Sequence, residues 1–188
     1  MGTSVNQSSP RTLSWNAVQS GYRDPRVPVE RVAAEIWRAA GNQPKGNIAE
    51  LLARPIVATV GELISSARSA AELVQKYAFV VADSKQASLA TDIARRAAIQ
   101  SFGASQPFKA YAERLFSEAT SYLVARDLPG FVGIGRAKDV SQSLDFATQI
   151  ANHASTVAAA VNLPRQVTPE SWAAHVRNVV DALRRSGR

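Results

Sequence analysis

Few residues in this chain have the chemistry of a catalytic or metal site. His153 and His175 are its only strong nitrogen ligands, and the 188 residues contain no cysteine that could serve as thiolate nucleophile, metal ligand or disulfide partner. Neither histidine has a second histidine or a carboxylate four residues further on, the spacing that sets two ligands on one helix face. Both therefore read as structural: His153, beside Asn152, as the polar edge of its helix, and His175 as half-exposed near an apolar seam. No metal site and no cofactor is expected. A Ser/His/Asp triad assembles in space and not in sequence, but no nucleophile-elbow motif is present, and the chain is expected not to be an enzyme.

The segment DLPGFVGIGRAKDV, residues 127–140, gathers Gly130, Gly133 and Gly135 ahead of Arg136 and Lys138. A phosphate cradle would need the G-x-G-x-x-G order or a P-loop after a strand, and neither is present. Pro129-Gly130 favours a turn, so the segment reads as a helix connection with turn glycines. Phe131 and Val132 are expected to be exposed apolar residues at its tip. With Arg136 they form a candidate contact for a protein partner. The pairs Arg95-Arg96 and Arg184-Arg185 have Asp92 and Asp181 three or four residues away, the spacing of intrahelical ion pairs. Trp15, Trp37 and Trp172 fall on apolar stripes or anchors, which marks them as core and not as base-stacking platforms.

The elements that carry these residues read as helices. Apolar residues recur at i, i+3, i+4, i+7 in Val29, Val32, Ala33, Ile36, Trp37 and Ala40, with Gly41 as the stop. The same period recurs in Phe108, Tyr111, Ala112, Leu115, Ala119, Tyr122 and Leu123, expected at the centre of the core. Further helices are expected over 14–20, 55–64, 69–80, 84–102, 141–161 and 168–183, with a short turn at 47–53. Ser14, Asn47, Asp83 or Ser84, and Thr168 are the expected caps, and Ser69 with Glu72 has the form of a capping box. Val74 and Leu144 are placed on inward stripes, Gly21 is read as a break, and Gly61 as a slight weakness in its helix. The helices from 84 to 126 should form an antiparallel pair. No run alternates with period two. The fold class is all-α, an irregular multi-helix bundle of about seven helices: residues 1–12 as a flexible, disordered N-terminal tail, and 13–188 as a single helical domain.

With 46% hydrophobic and 20% charged residues the composition is that of a folding chain. No stretch approaches the ~18 apolar residues of a membrane span, and the N-terminus lacks the apolar core of a secretory signal, so a cytoplasmic protein without a membrane partner is expected. The net charge of +7 raises the expectation of an acidic partner. Its cations are spread along the chain, which leaves a solvated basic surface and a basic nucleic-acid-binding helical protein as alternatives.

At the N-terminus, Gly2, Thr3 and Ser4 are small enough for Met1 to be removed, leaving a glycine α-amine that titrates near pH ~8. The myristoylation pattern requires Ser or Thr at position 6, where Asn6 stands. Either this is an ordinary start, or the amine is used. The opening Met1-Gly2-Thr3-Ser4, followed by a polar stretch, Pro10 and Trp15, resembles that of the QatB-type proteins, small partner proteins of bacterial antiphage operons that also encode a QueC-like enzyme of 7-deazaguanine chemistry. The resemblance covers about four residues. It implies that the QueC-like partner joins a deazaguanine to the Gly2 α-amine and that its active site reads Thr3 and Ser4. The resemblance thus implies a non-catalytic interaction protein of a multi-component bacterial antiphage defence system, whose helical body is expected to dock the enzyme and other operon proteins.

Overall fold

The computed structural model describes residues 10–41, 47–84 and 88–187. Gly2, Thr3 and Ser4 lie outside them. Among the described residues nine α-helices form and no strand does: α1 (Pro10–Arg23), α2 (Val29–Gly41), α3 (Ile48–Leu52), α4 (Pro55–Ser66), α5 (Ala70–Ser84), α6 (Leu89–Ser101), α7 (Pro107–Asp127), α8 (Val140–Ala160) and α9 (Pro169–Arg185). A 3-10 helix, Leu128–Phe131, follows α7. The all-α expectation holds, with nine helices among the described residues, eight of them of more than six residues, where about seven were expected. No helix of the described residues is long and apolar enough to cross a membrane.

Local chemistry explains most of the boundaries. The Thr168 hydroxyl accepts a hydrogen bond from the Ser171 N–H at 3.2 Å while the Ser171 hydroxyl accepts one from the Thr168 N–H at 2.8 Å, and Pro169 needs no donor at the first position of α9. The Asn47 side chain caps α3 through the Ala49 N–H at 3.0 Å. Before α5, Ser69 accepts from the Glu72 N–H at 3.1 Å, but Glu72 reaches back to the Arg68 N–H at 2.8 Å, one residue beyond a regular capping box. Asp83 and Ser84 are not caps: α5 continues through both, and Ser88 caps α6 in a reciprocal pair with Thr91. The expected helix start at 84 is thus moved, because an uncharged polar Ser–x–x–Thr pair does the capping.

The expected tail and first helix also change. Helix α1 starts at Pro10, not at Ser14, and runs through Gly21. A Cβ at Gly21 would meet Val32 Cγ2 at 2.8 Å, so here glycine lets α1 and α2 approach closely and does not break the helix. At Gly61 a Cβ would stand 2.4 Å from the Tyr111 ring and 2.8 Å from that of Phe108, so α4 needs glycine to receive α7.

The core sits around α7, whose Tyr111, Leu115, Phe116, Ala119 and Val124 are buried between α2, α4, α6 and α8. Helices α6 and α7 are antiparallel, as expected: Gln100 donates to Glu118 at 2.6 Å while Leu89 and Ala125 line the same groove. Trp37 and Trp172 are fully buried, and each satisfies its indole N–H, to Thr120 Oγ1 at 3.0 Å and to the Leu52 carbonyl at 2.9 Å. Trp172 also gathers Phe108, Tyr111 and His175 into an aromatic cluster, with ring centroids 5.6–6.3 Å away.

Candidate functional site

The glycine-rich connection folds back on the end of α1. Arg136 is its fastener: its backbone N–H donates to the Tyr22 carbonyl at 3.3 Å, its Nε to the Asp24 carbonyl at 3.2 Å and its Nη2 to the Pro25 carbonyl at 3.0 Å. These acceptors lie at and just beyond the C-terminus of α1, where carbonyls lack helical partners and the helix dipole favours a cation. The guanidinium also lies 4.8 Å from the centroid of Phe146 on α8. Burial lowers the Arg136 pKa, while nearby Asp24 opposes the shift. Gly135 makes the approach possible, with φ +61° and a hypothetical Cβ only 2.2 Å from the Arg23 carbonyl oxygen. Asp24 is held at a pKa of about 2, chiefly by the Arg26 side chain and backbone N–H.

Phe131 was expected at an exposed tip, and the structure corrects this. It packs partly buried against the core, its ring edge-on to Tyr22 at 5.2 Å and within 5.7 Å of the Arg23 guanidinium. Arg136, expected to face a partner, is spent on the carbonyls above. Val132 does remain exposed, at 40%, and three residues that pattern reading did not single out for contact join it: Ile134 at 48%, Val140 at 65% and Leu144 at 64%. Leu144 was expected to point inward with Ile150 and Ala151. The stripe of α8 that is buried begins at Ser143 and Phe146, leaving Val140 and Leu144 on its outer side. A shallow depression lined by Pro25, Arg136, Lys138, Gln142 and Asp145 lies beside the fastener.

The two histidines sit in different surroundings. His153 is partly buried with Nε2 3.0 Å from Ser186 Oγ. His175 is buried to 3% exposure, not half-exposed as its position beside the seam suggested. Its Nδ1 lies 3.3 Å from the Asn162 carbonyl, to which a protonated Nδ1 donates, and Nε2 has no hydrogen-bond partner. Burial lowers the pKa of both. The described residues contain no group of three or more His, Asp or Glu placed to hold a metal ion.

Three of the four arginines in the basic pairs are tied as their spacing foretold: Asp92 lies 3.2 Å from Arg95 and 3.6 Å from Arg96, and Asp181 lies 3.8 Å from Arg184. Arg184 additionally folds over Gly41 and reaches the Trp37 carbonyl at 3.4 Å. No family model matches the chain, and no curated protein or solved structure matches it either.

Proposed function

We propose that this chain is a non-catalytic helical interaction protein of a multi-component bacterial antiphage defence system, and that it offers the Gly2 α-amine to a QueC-like deazaguanine enzyme. The observation that carries the interaction part is the apolar end of the α7–α8 pair. Of the eight large apolar side chains exposed among the described residues, Val132, Ile134, Val140 and Leu144 fall within one connection and the helix turn after it. Exposed apolar side chains concentrated on a rigidly fastened segment are the mark of a docking surface.

Chain length supports a link between this surface and the proposed acceptor. The fastener grips the last turn of α1, and the first residue of α1, Pro10, lies one helix length away, about 20 Å for its 14 residues. The covalent chain from Gly2 to Pro10 spans at most ~30 Å. An enzyme seated on the apolar end is therefore within reach of the Gly2 amine. Thr3 and Ser4 would be the residues read in its active site.

The test is co-expression with a QueC-like enzyme. Val132→Asp combined with Leu144→Asp changes only exposed positions and should leave helix content intact by circular dichroism. Loss of co-purification together with reduced Gly2 modification is the expected outcome. Unchanged co-purification and modification would remove the docking role from this end.

A further inference from the structure

His175 of α9 is tied to the connection that joins α8 to α9, residues 161–168. Its Nδ1–H donates to the Asn162 carbonyl at 3.3 Å, and its Nε2 is buried with no hydrogen-bond partner. In this tautomer Nε2 is a neutral acceptor left unmet. A second proton turns it into a charged donor with no acceptor, on a residue only 3% exposed, which is far less tolerable. The charged ring reaches water only if one of its neighbours moves. Helix α9 is held by Trp172, Val176, Val179 and Leu183, all fully buried. The connection is held more lightly: Asn162, Arg165 and Gln166 are exposed, and Val161 and Val167 are only partly buried.

We propose that His175 is an acid-operated latch, and that charging its ring frees the 161–168 connection from α9 while the helices stay packed. The same connection supplies Val161, Asn162 and Leu163 to one wall of a cleft of about 300 Å³ whose other wall is the first two turns of α7, so release reshapes that cleft. The charged residues of the adjoining elements are Glu170 and Arg177 on α9, Arg165 in the connection, Lys109 and Glu113 on α7, and Arg54 before α4. Each is at least partly exposed, and the depressed pKa of His175 comes from burial, opposed by the Asn162 carbonyl. His153 is the contrasting case. The Ser186 hydroxyl donates to the Leu183 carbonyl at 2.8 Å, so it accepts from His153 Nε2–H at 3.0 Å. The ring of His153 is partly exposed and Glu30 favours its charge, so it takes up a proton without displacing a segment.

The test uses the full chain, uniformly labelled with ¹⁵N. Its two histidines give two imidazoles in long-range ¹H–¹⁵N correlation spectra, assigned with His153→Gln. At neutral pH His175 should be the Nδ1–H tautomer. As pH falls, its ring should titrate with a midpoint below the ordinary 6.5, together with the Leu163 amide, which shares its peptide group with the Asn162 carbonyl. Exchange protection, taken relative to the unstructured rate at each pH, should fall about tenfold or more at the Val161 and Thr168 amides while Val176 and Val179 stay protected. In His175→Phe, Leu163 and Thr168 should lose this pH dependence, and in His153→Gln they should keep it. Titration of His175 that leaves Leu163 and Thr168 unmoved would overturn the proposal, as would titration at the ordinary value. So would loss of protection at Val176 and Val179 in step with Thr168, because the opening would then be global.

Discussion

His175 is the residue whose chemistry is most constrained by its surroundings. It sits against Trp172 with one ring nitrogen turned to the Asn162 carbonyl and the other without a hydrogen-bond partner, surroundings that favour the neutral ring. Its folded pKa lies below the ordinary value of 6.5 because burial penalises the charged form. The unfolded chain therefore binds the proton more readily, and stability falls as pH drops below 6.5 toward the depressed folded value. Urea midpoints should decrease between pH 7.5 and about 5, and His175→Phe should reduce that slope without abolishing it, because His153 is shifted in the same direction. A slope unchanged in His175→Phe would contradict this account. Asp24 acts in a lower window: its folded pKa of about 2 means that its contribution is present above the ordinary carboxylate range and is lost as pH falls through about 2.

At the scale of elements, the two glycines that pattern reading treated as weaknesses are contact points. Gly61→Ala forces a methyl against the Tyr111 and Phe108 rings and should destabilise by about 1–3 kcal/mol, as overpacking does. A thermal unfolding midpoint lowered by several degrees would record it; an unchanged midpoint would show that the rings yield freely. Arg136→Ala removes side-chain donors from the end of α1 and should raise hydrogen exchange in its last turn while α6 and α7 stay protected. Caps and single-faced stripes were legible in the sequence because each is a local pattern: Thr168 with Ser171, or Trp172, Val176, Val179 and Leu183 along α9. What was not legible is which stripe faces inward when a helix is apolar on two sides. Val74, Tyr122 and Leu144 fit their helical periods, yet each is exposed, because direction is decided by neighbours distant in sequence. The Arg136 fastener was hidden for the same reason, its acceptors lying more than 110 residues away.

For the whole molecule, the charge of +7 looks like an invitation to nucleic acid, but Arg95, Arg96 and Arg184, three of the four arginines in the two basic pairs, are drawn into ion pairs or a carbonyl contact. Little duplex or single-strand binding is expected at ~50 mM salt, and tight binding with a steep salt dependence would favour the nucleic-acid alternative. The all-α class could be read from sequence, whereas the composition of the exposed apolar end could be read only from the fold. The proposed Gly2 chemistry stands on the Met1-Gly2-Thr3-Ser4 opening alone, so the decisive measurement is made there. Intact mass and N-terminal peptide mapping of the chain co-expressed with its neighbouring genes should show Met1 removed and a deazaguanine-sized addition on the Gly2 amine. Gly2→Pro, which leaves a secondary amine, should lack the addition and lose defence activity while unfolding like the parent chain. An unmodified Gly2 in the presence of every neighbouring gene product, or full activity after deletion of residues 2–9, would contradict the proposal.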